Sequence, residues 1–302
     1  VLFRSLNQLG YALYRYRNEP LEGLAYVERA IEEDPDYVWA HMNIGAICDY
    51  LKRYDEAERA YERAAALSPE DPDILYRRGL FLFRRKRFAE AEAALTKALA
   101  QTAADARTDN QGRRAQAYHR RGIVRLASNL REGRTDHADA VHDFEDSIRL
   151  RRQARVYPAL MRWLALTLSK GEPIDREQFG RQLQAPESKP WLSALGSLYL
   201  GEAEEAEVLR LAKTPEALCE THFYLGAFAF ANGRTDVAAR HFQKALATDF
   251  HLYMEYTLAE VFLAQLDGEV KEGTERAEPP AEPGHGSGSG EARPSPGGET
   301  RE

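Results

Sequence analysis

The sequence has few cysteine and histidine residues placed to form disulfides or to bind metal ions. Its two cysteines, Cys48 and Cys219, are too far apart to form a metal-binding motif, and no disulfide can be inferred from them. His137 and His142 are five residues apart, which would place them on different faces of a helix. We therefore expect no metal site and no cofactor.

Signatures of catalysis, membrane spanning and nucleic-acid binding are missing as well. The 302 residues contain no Gly-rich phosphate loop, no nucleophile elbow and no zincin motif. No apolar run is long enough to span a membrane, and a net charge of −7 gives no reason to expect a nucleic-acid partner. The sequence therefore predicts no catalytic residues and favours a non-enzymatic chain.

What the sequence does contain is a repeat with a period of 34 residues, which starts near Trp39. The repeated pairs are Gly45 and Gly79, Ala57 and Ala91, and Ala64 and Ala98. A fixed period in this range is typical of stacked-repeat architectures. Within one unit, the spacing places apolar residues on one face of each of two helices, and Pro69 ends the second helix. Each unit is thus predicted to be an antiparallel helix pair that buries its apolar face only by stacking on its neighbours.

The repeated residues resemble the tetratricopeptide repeat (TPR) family. The resemblance rests on Ile44-Gly45, Tyr54-Asp55-Glu56-Ala57, Tyr61, Ala64 and Pro69. It implies an all-α fold, an α-solenoid of antiparallel helix pairs wound into a superhelix. We predict regular units one to three over residues 1–102, a loop and an expanded fourth unit over 103–152, and degenerate and final units with a capping helix over 153–266. Residues 267–302, rich in Gly, Ser, Pro and Glu, are predicted to be a disordered tail.

The TPR resemblance also implies that a concave groove, lined by the first helix of each unit, is the ligand surface. The residues predicted to line it are Asn7, Tyr11, Asn43, Tyr50, Tyr76, Arg77, Arg84, His119 and Arg120, followed by Phe223 and Phe230 near the C-terminal end. Tyr and Arg side chains are common binding hot spots, because rings bury large areas and guanidinium groups grip carboxylates. We expect a protein or peptide ligand; the alternative is that several of these rings pack against the next unit.

A second resemblance covers residues 155–266. Pro190-Trp191, Tyr199-Leu200-Gly201 and Glu220–Gly226 resemble the final repeats of the bacterial NlpI lipoprotein family. This implies an all-helical adaptor, often dimeric, that binds a periplasmic tail-specific protease and cell-wall hydrolases. The lipid-bearing cysteine of that family would lie upstream of Val1, and we expect that the natural start is missing here. A cytoplasmic and a periplasmic or outer-membrane-anchored location therefore both stay open.

The leading hypothesis for function is a non-catalytic interaction scaffold or adaptor that binds a peptide or protein segment in the concave groove. One alternative is a structural or assembly protein that associates with itself, as a homodimer for example. The other is the regulatory TPR part of a larger enzyme, truncated at its N-terminus. The residues alone do not choose among partners.

Overall fold

The computed structural model describes residues 2–104, 110–151, 155–169, 174–183 and 189–275. All regular secondary structure in these residues is helical. The helices are α1 Leu2–Ala12, α2 Pro20–Glu33, α3 Val38–Tyr50, α4 Tyr54–Leu67, α5 Pro72–Arg84, α6 Phe88–Ala104, α7 Asn110–Arg131, α8 Ala138–Leu150, α9 Val156–Leu168, α10 Arg176–Leu183, α11 Pro190–Leu200, α12 Glu205–Leu211, α13 Pro215–Ala231, α14 Thr235–Leu246 and α15 Met254–Glu275. A π-helical turn, Leu13–Arg17, continues α1.

The helices stack as consecutive pairs. Seven pairs run from α1 with α2 to α13 with α14 in the described part of the chain, and each helix packs mainly on its chain neighbours. This confirms the predicted all-α solenoid. In five of these pairs the first helix carries a glycine where the second helix packs against it: Gly10, Gly45, Gly79, Gly122 and Gly226. A Cβ atom on Gly45 would lie 3.0 Å from the Tyr61 ring, and one on Gly79 would lie 2.9 Å from Leu95.

The backbone conformation also repeats with the 34-residue period. Asn18, Lys52 and Lys86 follow one another at this interval and have φ angles of 55°, 61° and 58°. Each lies where the first helix of a pair ends and the chain turns into the second. Gly133 and Gly233 take the same left-handed conformation in later pairs, with φ angles of 66° and 72°. The turn therefore requires this conformation, which glycine adopts without strain.

The fourth pair differs from its prediction. The expansion was expected in the loop between its two helices, through Ser128–His137. Part of it lengthens the first helix, since α7 spans 22 residues from Asn110 to Arg131. Residues 132–137 then form a connection to α8 that is longer than the connection 51–53 between α3 and α4. Residues 105–109, the centre of the loop predicted before this pair, lie outside the described residues. A long α7 extends one wall of the solenoid interior.

The C-terminal arm, residues 248–275, returns to the N-terminal pairs. Its helix α15 packs on α13 and α14 and also on α5 and α7. Lys52 Nζ lies 2.8 Å from Asp249 Oδ1, and Lys86 Nζ lies 3.3 Å from Glu260 Oε2. The sequence predicted a capping helix that covers the open end of the stack. The arm instead partly fills the concave side, because its apolar face contacts helices from both halves of the chain.

The end of the arm also differs from its prediction. The tail was expected from residue 267, but α15 continues to Glu275. No proline interrupts this stretch, and Gly268 has open space around it, so the helix meets no breaker there. The remainder of the predicted tail, residues 276–302, lies outside the described residues.

Candidate protein-binding surface

Two adjoining cavities lie on the concave side, between the first helices of the N-terminal pairs and the C-terminal arm. The outer cavity, of about 410 Å³, is bordered by α5 together with parts of α3, α6 and α7. The chamber, of about 560 Å³, is bordered by α5 and α7 on one side and by α13 and the arm on the other. Tyr76, Leu80 and Gln116 border both cavities. The two cavities therefore form one continuous inner surface.

The structure brings five of the predicted groove residues to this inner surface. They are Tyr76, Arg77, Arg84, His119 and Arg120. Tyr76 and Arg77 lie on α5, and both are half-buried. Burial alone would lower the pKa of Arg120, but Tyr76 and Glu255 outweigh that effect and raise it. This guanidinium thus stays charged in the chamber.

Arg84 has a structural partner. Its Nε donates to Oδ2 of Asp49 at 2.9 Å, and the Asp49 side chain is only 1% exposed. The pair joins α3 to α5 across two units. Arg84 therefore borders the chamber with a guanidinium group that a buried carboxylate already neutralises.

Asn7 and Asn43 do not lie on the open surface. Both are buried, and Asn43 Nδ2 donates to Asn7 Oδ1 at 2.8 Å. They face one another because α1 and α3 approach closely at this point. Both were predicted to line the groove, but the close packing of neighbouring first helices leaves these two amides no free surface.

Tyr11 and Tyr50 belong to an aromatic cluster at the N-terminal end. The Tyr14 ring lies 6.2 Å from that of Tyr11 and 5.4 Å from that of Tyr50. Tyr50 also donates its hydroxyl to Asn18 Oδ1 at 2.8 Å, and its ring lies 6.5 Å from that of His251 in the arm. The cluster supports the closure of the arm on the first two pairs.

The predicted groove rings at the C-terminal end are packing residues. Phe223 is fully buried, and Phe230 packs edge-on against Phe262 at 5.0 Å. Both lie under α15. The alternative that some rings pack against neighbouring helices is thus correct here, because the arm covers this part of the arc.

His119 lies on the wall of the chamber and is 4% exposed. Its Nδ1 has no hydrogen-bond partner among the described residues. Burial, followed by the charges of Arg120 and Arg151, lowers its pKa well below the usual value. The imidazole is therefore neutral at neutral pH.

Two carboxylates border the opposite wall, and sequence reasoning missed them. Glu220 of α13 is 7% exposed and Glu255 of α15 is 5% exposed. Tyr157 donates its hydroxyl to Glu220 Oε2 at 2.7 Å, and Tyr224 donates to Glu255 Oε1 at 3.5 Å. Burial, then repulsion by Glu255, raises the pKa of Glu220 to about 7. Two buried carboxylates near one another give this wall its acidic character.

Apart from Glu255, the cavity residues that sequence reasoning missed include four that share one register position. Four residues that border the cavities lie six positions before the glycine of their pair: Trp39, Asp73, Gln116 and Glu220. This position is one helical turn before a position that the predicted arc included, so it faces the same way. Extending the arc by one turn would have found them. Trp39 is notable among them because it is 38% exposed, unusually open for a tryptophan.

Other kinds of site find little support in the described residues. No group of three or more His, Cys, Asp or Glu side chains there is placed to hold a metal ion. Both cysteines are free and buried, and burial raises the pKa of each thiol to about 11. None of the described helices combines the length and apolar character required to cross a membrane.

Residues 49–106 match the tetratricopeptide repeat family. Three solved structures share the fold of the described chain at a TM-score of 0.51. PilF of Pseudomonas aeruginosa is 18% identical, with 86% of this chain and 96% of that chain covered. PilW, a type IV pilus biogenesis factor, is 19% identical with 81% and 92% covered, and a TPR protein of Parabacteroides merdae is 14% identical with 88% and 98% covered. At these identities the likeness shows the fold alone.

One curated relative matches a short segment. Protein O-mannosyl-transferase Tmtc3 of Drosophila melanogaster is 41% identical over 73 residues, which make up 23% of this chain and 8% of that protein. The matched segment thus spans a small part of the relative's length. The stretch that matches the tetratricopeptide repeat model contains Tyr76, Arg77 and Arg84, so the centre of the inner surface lies on its most regular repeats.

Proposed function

We propose that this chain is a non-catalytic scaffold that binds a protein or peptide segment on its inner surface. The observation that carries the proposal is the continuity of the outer cavity and the chamber through Tyr76, Leu80 and Gln116. An exposed tryptophan and a half-buried arginine flank this path, and both residue types are frequent binding anchors. The TPR fold supports the proposal, since stacked repeats present extended binding surfaces.

The shape of the surface favours an extended segment. His251 Nε2 lies 3.3 Å from the carbonyl oxygen of Asp49, and α15 packs on α5 and α7. The arm therefore narrows the concave side. A helix with its side chains is about 10–12 Å across and needs a wider groove, whereas an extended chain can place single side chains in each cavity.

Photo-crosslinking tests the proposed surface. A benzoylphenylalanine in place of Tyr76 is expected to crosslink the bound segment in an extract of the source cells. The same amino acid in place of Arg78, which lies on the other side of α5 near Glu90, is the matched control. Equal labelling from both positions, or labelling from position 78 alone, would reject the inner surface as the binding site.

Self-association is the second candidate function. Exposed apolar or aromatic side chains gather on the first helix pair: Leu2, Leu9, Tyr16 and Leu21. A second copy that packs on these side chains would bury them. Leu9→Glu should then convert a dimer into a monomer in light scattering, and a wild-type chain that is already monomeric at high concentration would exclude this function.

Two sequence resemblances, to Tmtc3 and to NlpI lipoproteins, bear on what the chain binds. The match to Tmtc3 covers 8% of that protein, which favours a shared repeat segment over a shared transferase activity. From the resemblance of residues 155–266 to NlpI lipoproteins, we propose a tail-specific protease as a partner. Identification of the crosslinked protein tests that proposal directly.

A further inference from the structure

The chamber holds charges that the described residues leave unpaired. Glu220 and Glu255 are nine-tenths buried, yet neither has a basic nitrogen within 4 Å in the described part of the chain. Their hydrogen bonds come from the tyrosine hydroxyls of Tyr157 and Tyr224. Carboxylates buried without ion pairs are unfavourable, because they lose hydration and also repel one another.

Arg120 faces this pair from the other wall. It borders the same chamber, and it too has no carboxylate within 4 Å among the described residues. The gap between the two walls is the open volume of about 560 Å³, a size typical of ligand sites. Three other arginines border the chamber: Arg84 is paired with Asp49, Arg15 is exposed to solvent, and Arg151 lies near enough to Arg120 to repel it.

His119 provides a second, independent sign of a ligand. It borders the chamber, it is 4% exposed, and its Nδ1 has no hydrogen-bond partner among the described residues. Buried polar atoms in native proteins nearly always have partners. The Nδ1 atom is itself buried, so a peptide group in the chamber bonds to it only when the imidazole ring rotates toward the chamber.

We propose that the chamber receives a basic side chain of the bound segment between Glu220 and Glu255, with an acidic side chain of that segment at Arg120. The inference rests on the proposed function and specifies its ligand. The segment recognised is therefore one in which a Lys or Arg lies close to an Asp or Glu. The positive charge of the basic group offsets the repulsion between Glu220 and Glu255. The acidic group forms an ion pair with Arg120 on the opposite wall.

Binding should strengthen as the pH rises through neutrality. Glu220 has a pKa of about 7, so it is largely protonated below that pH and cannot pair with a cation. The charged and titratable groups that act on Glu220 come from four other elements: Glu255 of α15, Tyr157 of α9, Lys189 before α11 and Arg120 of α7. Lys189 and Arg120 lower the pKa of Glu220, and a bound basic side chain would lower it further, which favours the charged carboxylate.

Short blocked peptides test the inference with the full chain. The probes are acetylated, amidated peptides with Lys and Glu adjacent or separated by one or two alanines, and ligand-observed NMR measures their affinity. Replacement of Lys by norleucine, or of Glu255 by Gln, should weaken the best probe by about tenfold or more. Affinity for that probe should rise between about pH 6 and about pH 8, whereas affinity for its norleucine form should not.

Controls separate this inference from the proposed function. Glu216→Gln, one turn before Glu220 and outside the chamber lining, should leave probe affinity unchanged. Glu220→Gln is a second variant that keeps the acceptor for the Tyr157 hydroxyl. Equal binding of the lysine and norleucine probes, or no saturable binding of any probe, would overturn the inference. Crosslinking from position 76 tests separately whether the inner surface binds a segment, because its outcome does not depend on the charges of that segment.

Discussion

Single charged residues inside the solenoid differ in whether another charged group neutralises them. Asp49 is 1% exposed and its Oδ2 accepts from Arg84, while its Oδ1 has no hydrogen-bond partner among the described residues. Loss of Arg84 would leave a buried carboxylate with no cation. Ion pairs on the outer surface, such as Arg63 with Asp36, are solvated and matter far less.

Arg84→Met should therefore destabilise the protein by about 3–5 kcal/mol in urea unfolding, as the breaking of a buried pair does. Arg63→Met is the matched control, and its exposed pair should change stability by about 1 kcal/mol or less. Similar losses from both variants would show that the Arg84–Asp49 pair is no stronger than a surface contact.

Glu220 makes stability depend on pH. Its folded pKa of about 7 is raised from an unfolded value of 4.5, so the folded state binds the proton more tightly. Stability should thus fall as the pH rises from about 4.5 to about 7, by on the order of 3 kcal/mol. Glu220→Gln removes this loss, and its gain over wild type in urea unfolding should be larger at pH 8 than at pH 5. A constant difference across that range would refute the assignment.

The regular helix pairs depend on glycine at one place in the first helix. A Cβ atom added at Gly45 would lie 3.0 Å from the Tyr61 ring, and one added at Gly79 would lie 2.9 Å from Leu95. The partner residues are themselves one repeat period apart. Close approach of the two helices is therefore a property of the repeated unit rather than of one location.

Gly45→Leu should destabilise the protein by about 1–3 kcal/mol, because it overpacks the contact with Tyr61. Gly112→Leu in α7 is the control, since a Cβ there meets nothing within 4 Å. That variant should leave the melting temperature unchanged or raise it, because leucine favours the helix more than glycine does. Unchanged stability of the Gly45 variant would contradict the repeat register.

The elements could be predicted where the sequence repeats and not where it departs from the repeat. Gly45, Gly79 and the prolines between units define the helix pairs, because each has a role that depends on local geometry. The length of α7 could not be predicted, because no proline near its first residues marks where the helix begins. Burial of Asn7 and Asn43 depends on how closely two first helices approach, which periodicity does not encode.

The molecule as a whole is shaped by the return of its C-terminal arm. Aromatic packing anchors the arm: the Phe262 ring lies 6.2, 5.0 and 5.1 Å from those of Phe223, Phe230 and Phe242. Exposed ion pairs then join it to the first pairs. This closure converts an open groove into an outer cavity and a chamber. Contacts between residues some 200 positions apart, such as Lys52 with Asp249, leave no trace in the repeat pattern.

Phe262→Ala should destabilise the protein by about 3–5 kcal/mol, because it leaves a cavity within this aromatic cluster. Leu263→Ala, at a half-buried neighbouring position, is the control and should cause a smaller loss. Hydrogen exchange should show faster exchange in α15 and α5 of the Phe262 variant. Protection of α5 that is identical in both variants would argue against the closure.

The most direct test of the inner surface is the affinity of the captured segment for three single variants. Tyr76→Ala and Arg77→Ala should each weaken binding by about tenfold or more without a large change in melting temperature. Arg78→Ala, the neighbouring position on the other side of α5, should bind as wild type does. Equal affinity for all three variants would contradict a binding site on the inner surface, and unfolding of the first two would show that they are packing residues.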